Sequence, residues 1–233
     1  MTDRINMRQT WNQISPHYQA EHKIPTDFVH YGPHCPNEDD LQLIGDVRGK
    51  RVLEVGCGGG QCSIAFAKRG AIATGLDISD EQVKFARLLA AENAVEATFH
   101  RSNAEDLTLI SDESQDIVFS AYALMYVRRL DRCFAEVARV LGPGGLFVFS
   151  LDHPFWYCLA EKELLVKFSY FDGEYSYAWA EGHEVASPGP PVPANGGGVL
   201  SSAPGRRSGG ARHRGAGAGG GGERAGLGGV LCA

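Results

Sequence analysis

The most specific chemical pattern in the chain is Glu54-Val55-Gly56-Cys57-Gly58-Gly59-Gly60, an acid followed by glycines at every second position, set between an apolar run and a helix-forming stretch from Gln61. A Gly-rich loop between a strand and a helix brings bare backbone against a nucleotide-like ligand, and the free N–H groups of the helix N-terminus suit an anion. The dinucleotide spacing Gly-x-Gly-x-x-Gly fails, because Gln61 stands where the third glycine belongs. A nicotinamide-dependent oxidoreductase is therefore disfavoured. Asp77 follows 21 residues beyond Gly56, and a carboxylate can accept two hydrogen bonds at once. A second cluster, Asp152-His153, offers proton transfer, since an imidazole titrates near neutral pH. The competing reading of His153 is a side chain hydrogen-bonded in the turn before Pro154. His30, His34 and Cys35 are close in sequence, but Gly32-Pro33 separates the histidines and no fourth ligand has zinc spacing, so no metal site is expected.

These groups need a scaffold, and the patterning supplies one. Residues 51–55 read as a short apolar strand, 61–69 as a helix and 71–77 as a second strand. Ser79 then caps a helix through about residue 93 that carries Val83, Ala86, Leu89 and Ala90 on one face. Strands at 97–100 and 116–120 follow, then a helix over 129–141 closed by Gly142-Pro143-Gly144-Gly145, and a fifth strand at 146–151. Apolar strands alternating with helices predict a parallel sheet covered on both faces, an α/β doubly wound Rossmann-like architecture. Ligands in such sheets sit just past the carboxyl ends of the strands, which is where Asp152 and His153 fall. Upstream, Trp11, Ile14 and Tyr18 give residues 3–22 a loose helical period, and Asn37 is placed to cap a short acidic helix.

Taken in order, five motifs over residues 10–160 resemble the class I S-adenosylmethionine (SAM) dependent methyltransferases, of the small-molecule, type 11 kind. Glu54, Gly56, Gly58 and Gly60 match the first, Asp77 the second and 102–107 the third; 116–120 and 139–145 match the last two. The resemblance implies that Gly56 and Gly58 let the methionine part of SAM lie against backbone, that Gly60 and Gln61 face its carboxylate, and that Glu54 complements its ammonium. Asp77, with Ile78 beside it, would hold the ribose hydroxyls, while Asn103 and Ala104 flank the adenine and Ser120 lies in the fourth-strand motif. Asn103 stands where relatives commonly carry Asp; it keeps an acceptor oxygen. Tyr18 falls in the segment that closes over the donor in relatives, with plain helix packing as the other reading. The implied activity is methyl transfer to a small-molecule O, N or C acceptor by in-line displacement, with His153 as base and Asp152 beside it. A catalytically impaired remnant that only binds SAM or its product is the alternative.

Composition sets the limits. Of 233 residues with 30 glycines and a net charge of −6, the last 48 hold 16 glycines, five arginines and one acid, and no aromatic residue. Residues 1–185 therefore carry 17 basic and 27 acidic side chains, a net charge of −10, which argues against nucleic acid as partner. No apolar run of 18 residues is present and Met1-Thr2-Asp3-Arg4 is no signal peptide, so no membrane association and a cytoplasmic location are expected, with all six cysteines as free thiols. The expected divisions are an N-terminal helical cap (1–49), the SAM-binding core (50–152), an aromatic-rich segment (153–185) and a disordered tail (186–233). The aromatic residues from Phe155 to Trp179 read as a lid over a hydrophobic or aromatic acceptor, or as filler under a loop. Gly-, Ala- and Arg-rich sequence without lysine is what GC-rich codons give out of frame, so the tail reads as a frameshift or truncation near residue 185. That would remove the C-terminal helix and antiparallel strand pair and leave strand five an uncovered edge prone to self-association.

Overall fold

A computed structural model of the protein describes residues 6–153, 158–160, 165–166, 174–180, 183–188 and 226–232. Strand β1 (Arg51–Val55) is buried from its second residue onward, as expected of an apolar strand in the middle of a sheet. It pairs in parallel with β2 (Ile72–Asp77) on one side and with β4 (Gln115–Ala121) on the other. Outside these lie β3 (Ala97–Arg101) next to β2, and β5 (Leu141–Asp152) next to β4. The helices between them, α3 (Gln61–Lys68), α4 (Asp80–Glu92) and α5 (Leu130–Val140), cover the two faces. On one face Phe119 meets Phe66 and Tyr31 edge-on at ring distances of 5.3 and 5.6 Å; on the other, Leu53, Val118 and Phe147 pack with Val137 of α5. The doubly wound parallel architecture is as expected from the alternation of elements.

The N-terminal segment adds α1 (Met7–Glu21), whose N-cap Asn6 accepts from the Gln9 N–H, and α2 (Glu38–Leu41), closed by a reciprocal capping box between Asn37 and Asp40. Glu38 is itself buried. Its carboxylate accepts from the Tyr31 hydroxyl at 2.5 Å and from the N–H groups of Leu43, Ile44 and Gly45 at 3.2, 2.8 and 3.0 Å, which fixes this segment to the sheet.

Four features differ from expectation. The helix before β5 stops at Val140, and the strand begins at Leu141, opposite Gln115; pairing breaks and resumes at Leu146 opposite Ile117, so residues 142–145 form an outward bulge within the strand. Proline cannot extend a helix and Gly144 takes a φ of 74°, so the punctuation is real, but it interrupts a strand rather than preceding one. Second, β5 is no edge: β10 (Gly226–Cys232) runs parallel to it from Gly226 opposite Leu146 to Cys232 opposite Asp152. Ladder pairing needs only backbone N–H and C=O groups, which glycine supplies, and the open side of β5 is a template for them. Self-association through an exposed strand five therefore loses its basis. The expected disordered tail is also broken at two places, by residues 186–188 and by β10; its remainder lies outside the described residues. Third, β6 (Leu159–Ala160) with β7 (Leu165–Val166), and β8 (Glu174–Ala180) with β9 (His183–Pro188), form two antiparallel pairs separate from the main sheet; the sheet itself, in the order β3-β2-β1-β4-β5-β10, has no antiparallel strand among the described residues, as expected. Fourth, Cys57, Cys62, Cys133 and Cys158 are free thiols, but Cys35 is disulfide-bonded.

Candidate functional site

The loop after β1 is held closed by Gly56 and Cys57, whose N–H groups both donate to the Leu76 carbonyl of β2, at 2.8 and 2.9 Å. Gly56, Gly58 and Gly60 all have positive φ, at 73°, 52° and 79°. Their reasons differ. A side chain at Gly56 would run into the Ala123 methyl, and one at Gly60 would come within 2.7–2.9 Å of Phe99 and Ala86. Gly58 faces open space, with nothing within 4 Å of where its side chain would begin. The loop is thus packed by the protein at both ends and open in its middle, a cradle of the size of a backbone contact.

Two carboxylates flank that opening. Asp77 ends β2, is buried, and accepts from the Gly58 N–H at 2.9 Å and from the Ser79 N–H at 2.8 Å; burial raises its pKa against the pull of those N–H groups. Glu54 is 3% exposed and accepts from the Ser63 hydroxyl at 2.5 Å. Burial pushes its pKa up to about 8, with the Ser63 hydrogen bond opposing and the charge of Asp77 adding to the rise. No lysine, arginine or histidine forms an ion pair with either carboxylate among the described residues. Two buried acids without a cation, beside a bare-backbone opening, form a site that fits a ligand carrying an ammonium group and hydroxyl donors.

Helix α1 lies across this site through polar contacts. Asn12 accepts from the Ser79 hydroxyl at 2.7 Å and donates to Asp80 at 3.2 Å, and Arg8 donates to Asp80 at 2.8 Å. A buried amide chain continues it: Gln61 donates to Gln19, and Gln19 to Gln82, both at 2.8 Å. The Gln61 side chain thus anchors α1. Trp11 meets Tyr18 and Tyr126 edge-on at 5.8 and 5.4 Å, bridging α1 to the 3-10 turn Leu124–Tyr126 after β4. Tyr18 accordingly sits in the aromatic contact that seats α1.

The other candidate residues are dispersed around this cleft. Ile78 is half-buried between Asp77 and Ser79. Asn103 is exposed, and its side-chain oxygen accepts from the Glu105 N–H at 3.0 Å; Ala104 packs on the core. Ser120 is fully buried and donates to the Val55 carbonyl at 2.8 Å, so it ties β4 to β1 rather than facing the cleft. At the carboxyl ends of β4 and β5, Asp152 is half-buried and hydrogen-bonded to the Tyr122 hydroxyl, while His153 is exposed. Tyr122, Gln19, Ser63 and Gln82 were not marked by the sequence patterns; only Tyr122 carried a signal, its place at the end of the fourth strand. Phe155, Trp156, Tyr157, Phe168, Tyr170 and Phe171 lie outside the described residues, and Tyr175, Tyr177 and Trp179 are described only as backbone in β8.

Residues 53–149 match the family model described as "Methyltransferase domain". This segment is similar to a methyltransferase domain. It contains the loop, Asp77 and all of the sheet from β1 through most of β5. Among similar proteins is the ubiquinone biosynthesis O-methyltransferase of Bordetella avium, 36% identical over 109 residues that cover 47% of this chain and 45% of that protein. The chain thus spans less than half the length of that relative. Among solved structures, the [4+2]-cyclase SpnF is similar at a TM-score of 0.50 and 27% identity, covering 60% of this chain and 56% of that one. A SAM-dependent methyltransferase from Mesorhizobium loti matches at a TM-score of 0.47 and 33% identity, covering 51% and 54%. Among the described residues, no helix is long and apolar enough to cross a membrane.

Proposed function

We propose that the protein transfers a methyl group from SAM to a hydroxyl of a small molecule. The observation that carries this reading is the opening at Gly58 flanked by the buried carboxylates Glu54 and Asp77. Asp77 would hold the ribose hydroxyls, Glu54 the ammonium, and the α3 N-terminus at Gly60 and Gln61 the carboxylate. When bound there, SAM supplies an electrophilic methyl on a sulfonium. The chain's contribution is alignment, worth about 7–11 kcal/mol in well-oriented reactions, and exclusion of water by the docked α1. A hydroxyl acceptor is favoured by the relatives that bear the name O-methyltransferase. The domain's net negative charge, −10 over residues 1–185, disfavours a polyanionic acceptor.

The test is calorimetry of the full chain with SAM, then transfer of radiolabelled methyl to a panel of phenols and alcohols. Binding with turnover on at least one hydroxyl is expected. Absence of SAM binding by folded protein refutes the reading, and binding without turnover across the panel reduces the protein to a SAM-binding remnant.

A further inference from the structure

Gly59 is the one glycine of the loop after β1 whose lack of a side chain the backbone does not explain. Gly56, Gly58 and Gly60 take positive φ, whereas Gly59 does not. What a Cβ at Gly59 would meet is the carboxamide of Gln19 on α1, its nitrogen at 2.6 Å and its carbon and oxygen both at 2.8 Å. Three near-equal distances mean that the amide lies flat over the Gly59 α-carbon. Gln19 cannot swing aside without loss, because it is buried, accepts from Gln61 Nε2 and donates to Gln82 Oε1, both at 2.8 Å. Gln61, one end of that chain, opens α3. The N-cap residue Gly60 offers no side chain to the first turn. The Ile64 N–H reaches the Gly60 carbonyl, and that of Ser63 goes to the Glu54 carboxylate. The N–H groups of Gln61 and Cys62 meet no acceptor among the described residues, although these residues are only 5% and 1% exposed. Buried donors at an uncapped helix start suit an anionic group. Seating α1 does not by itself need Gln19: Arg8 and Asn12 already tie the helix to Asp80 and Ser79 at the start of α4.

We propose that Gln19 is a positioning residue for the carboxylate of the methyl donor: lying on Gly59 and holding the Gln61 side chain, it keeps the start of α3 in place to receive that carboxylate on the Gln61 and Cys62 N–H groups. This inference rests on the reading of the loop as the SAM site and deepens it, tying α1 to one particular group of the donor. Gln19 itself stays neutral and takes part in no bond change. Its contribution is to hold two helix starts and the loop between them in one arrangement, so that the donor carboxylate finds its hydrogen-bond partners already in place.

Calorimetry of the full chain compares SAM with decarboxylated SAM, which keeps the sulfonium and the ammonium and lacks only the carboxylate. The wild type is expected to bind SAM about 10-fold or more tightly than the analogue, from hydrogen bonds to a charged group. Gln19→Met matches the side chain in length and removes its hydrogen bonds; it should lower SAM affinity about 10-fold and change that for the analogue by less than about 2-fold. Gln82→Met releases the other end of the chain while Gln61 stays held and, with no hydrogen bond to the donor carboxylate disturbed, should move both affinities by less than about 2-fold. A merely structural Gln19 would weaken both ligands alike, so equal losses overturn the proposal, as does an unchanged SAM affinity in Gln19→Met or a wild type indifferent to the carboxylate. A carboxylate-selective loss in Gln82→Met as large as in Gln19→Met overturns the assignment to Gln19. Should Gln19→Met fail to fold by circular dichroism, Gln19→Asn, whose shorter amide cannot span Gln61 and Gln82, is judged by the same two affinities. A wild type that binds neither ligand overturns the functional reading, whereas SAM binding that is indifferent to Gln19 overturns only this inference.

Discussion

Replacing Glu54 by Gln tests the electrostatics of the donor site through stability alone. The native carboxyl is pushed up to about 8 from an ordinary 4.5, chiefly by burial. A native pKa above the unfolded one means that the folded state binds more protons, so stability is fully present below pH 4.5 and is lost as pH rises through 8. Integrating over that window gives a loss of about 2 kcal/mol between pH 6 and pH 8 from this one group. Asp77 is shifted in the same direction and is common to both proteins. Urea unfolding of wild type and Glu54→Gln at pH 6, 7 and 8 should therefore show the variant losing about 2 kcal/mol less than the wild type across the range. The same carboxyl should ionise when a ligand ammonium arrives, releasing about 0.9 proton per SAM bound at pH 7 in wild type and almost none in Glu54→Gln. Calorimetry in buffers of different ionisation enthalpy reads that number directly. Parallel stability curves for the two proteins, with no proton release on binding, would refute the reasoning.

The glycine loop gives a paired test. Gly60→Ala meets both a positive φ and the crowding of Phe99 and Ala86, and should cost about 3 kcal/mol or more of stability in a melting experiment; Gly58→Ala faces open space and should cost only about 1–2 kcal/mol, yet weaken SAM binding measured by calorimetry. Asp77→Asn should lower SAM affinity about 10- to 100-fold, the worth of hydrogen bonds to a charged group, while leaving far-ultraviolet circular dichroism unchanged. Glu38→Ala leaves four donors, the Tyr31 hydroxyl and the Ile44 N–H among them buried, without their acceptor and should lower stability by about 3 kcal/mol in urea unfolding, an effect that Glu38→Gln should partly restore.

The parts of the fold legible in sequence were those set by local chemistry. The apolar run 51–55, the glycines after it and the acid at Asp77 each declare their element within a few residues, and the parallel sheet follows from βα alternation. The bulge at 142–145 was hidden because Gly-Pro-Gly-Gly is equally good turn chemistry before a strand and within one; only pairing of Leu141 with Gln115 distinguishes them. β10 was hidden for the opposite reason: a glycine-rich segment has almost no side-chain signal, and what recruits it is the open ladder of β5, eighty residues away. In the site, Gly58 and Gly60 look alike in sequence, yet one faces open space and the other Phe99. The Gln19–Gln61–Gln82 chain was likewise unreadable, because polar residues on α1 and α4 look solvent-facing until the two helices meet.

The distance in sequence between β5 and β10 bears on synthesis. A chain growing at about 5–20 residues per second spends roughly 4–16 s between completing the residue opposite Gly226 and making Gly226 itself. The five preceding strands have everything they need to pair before then, so the nascent domain would wait on the ribosome with one flank of its sheet unpaired. Any chaperone that shields this protein during translation would have its work concentrated there, on the ladder of residues 146–152.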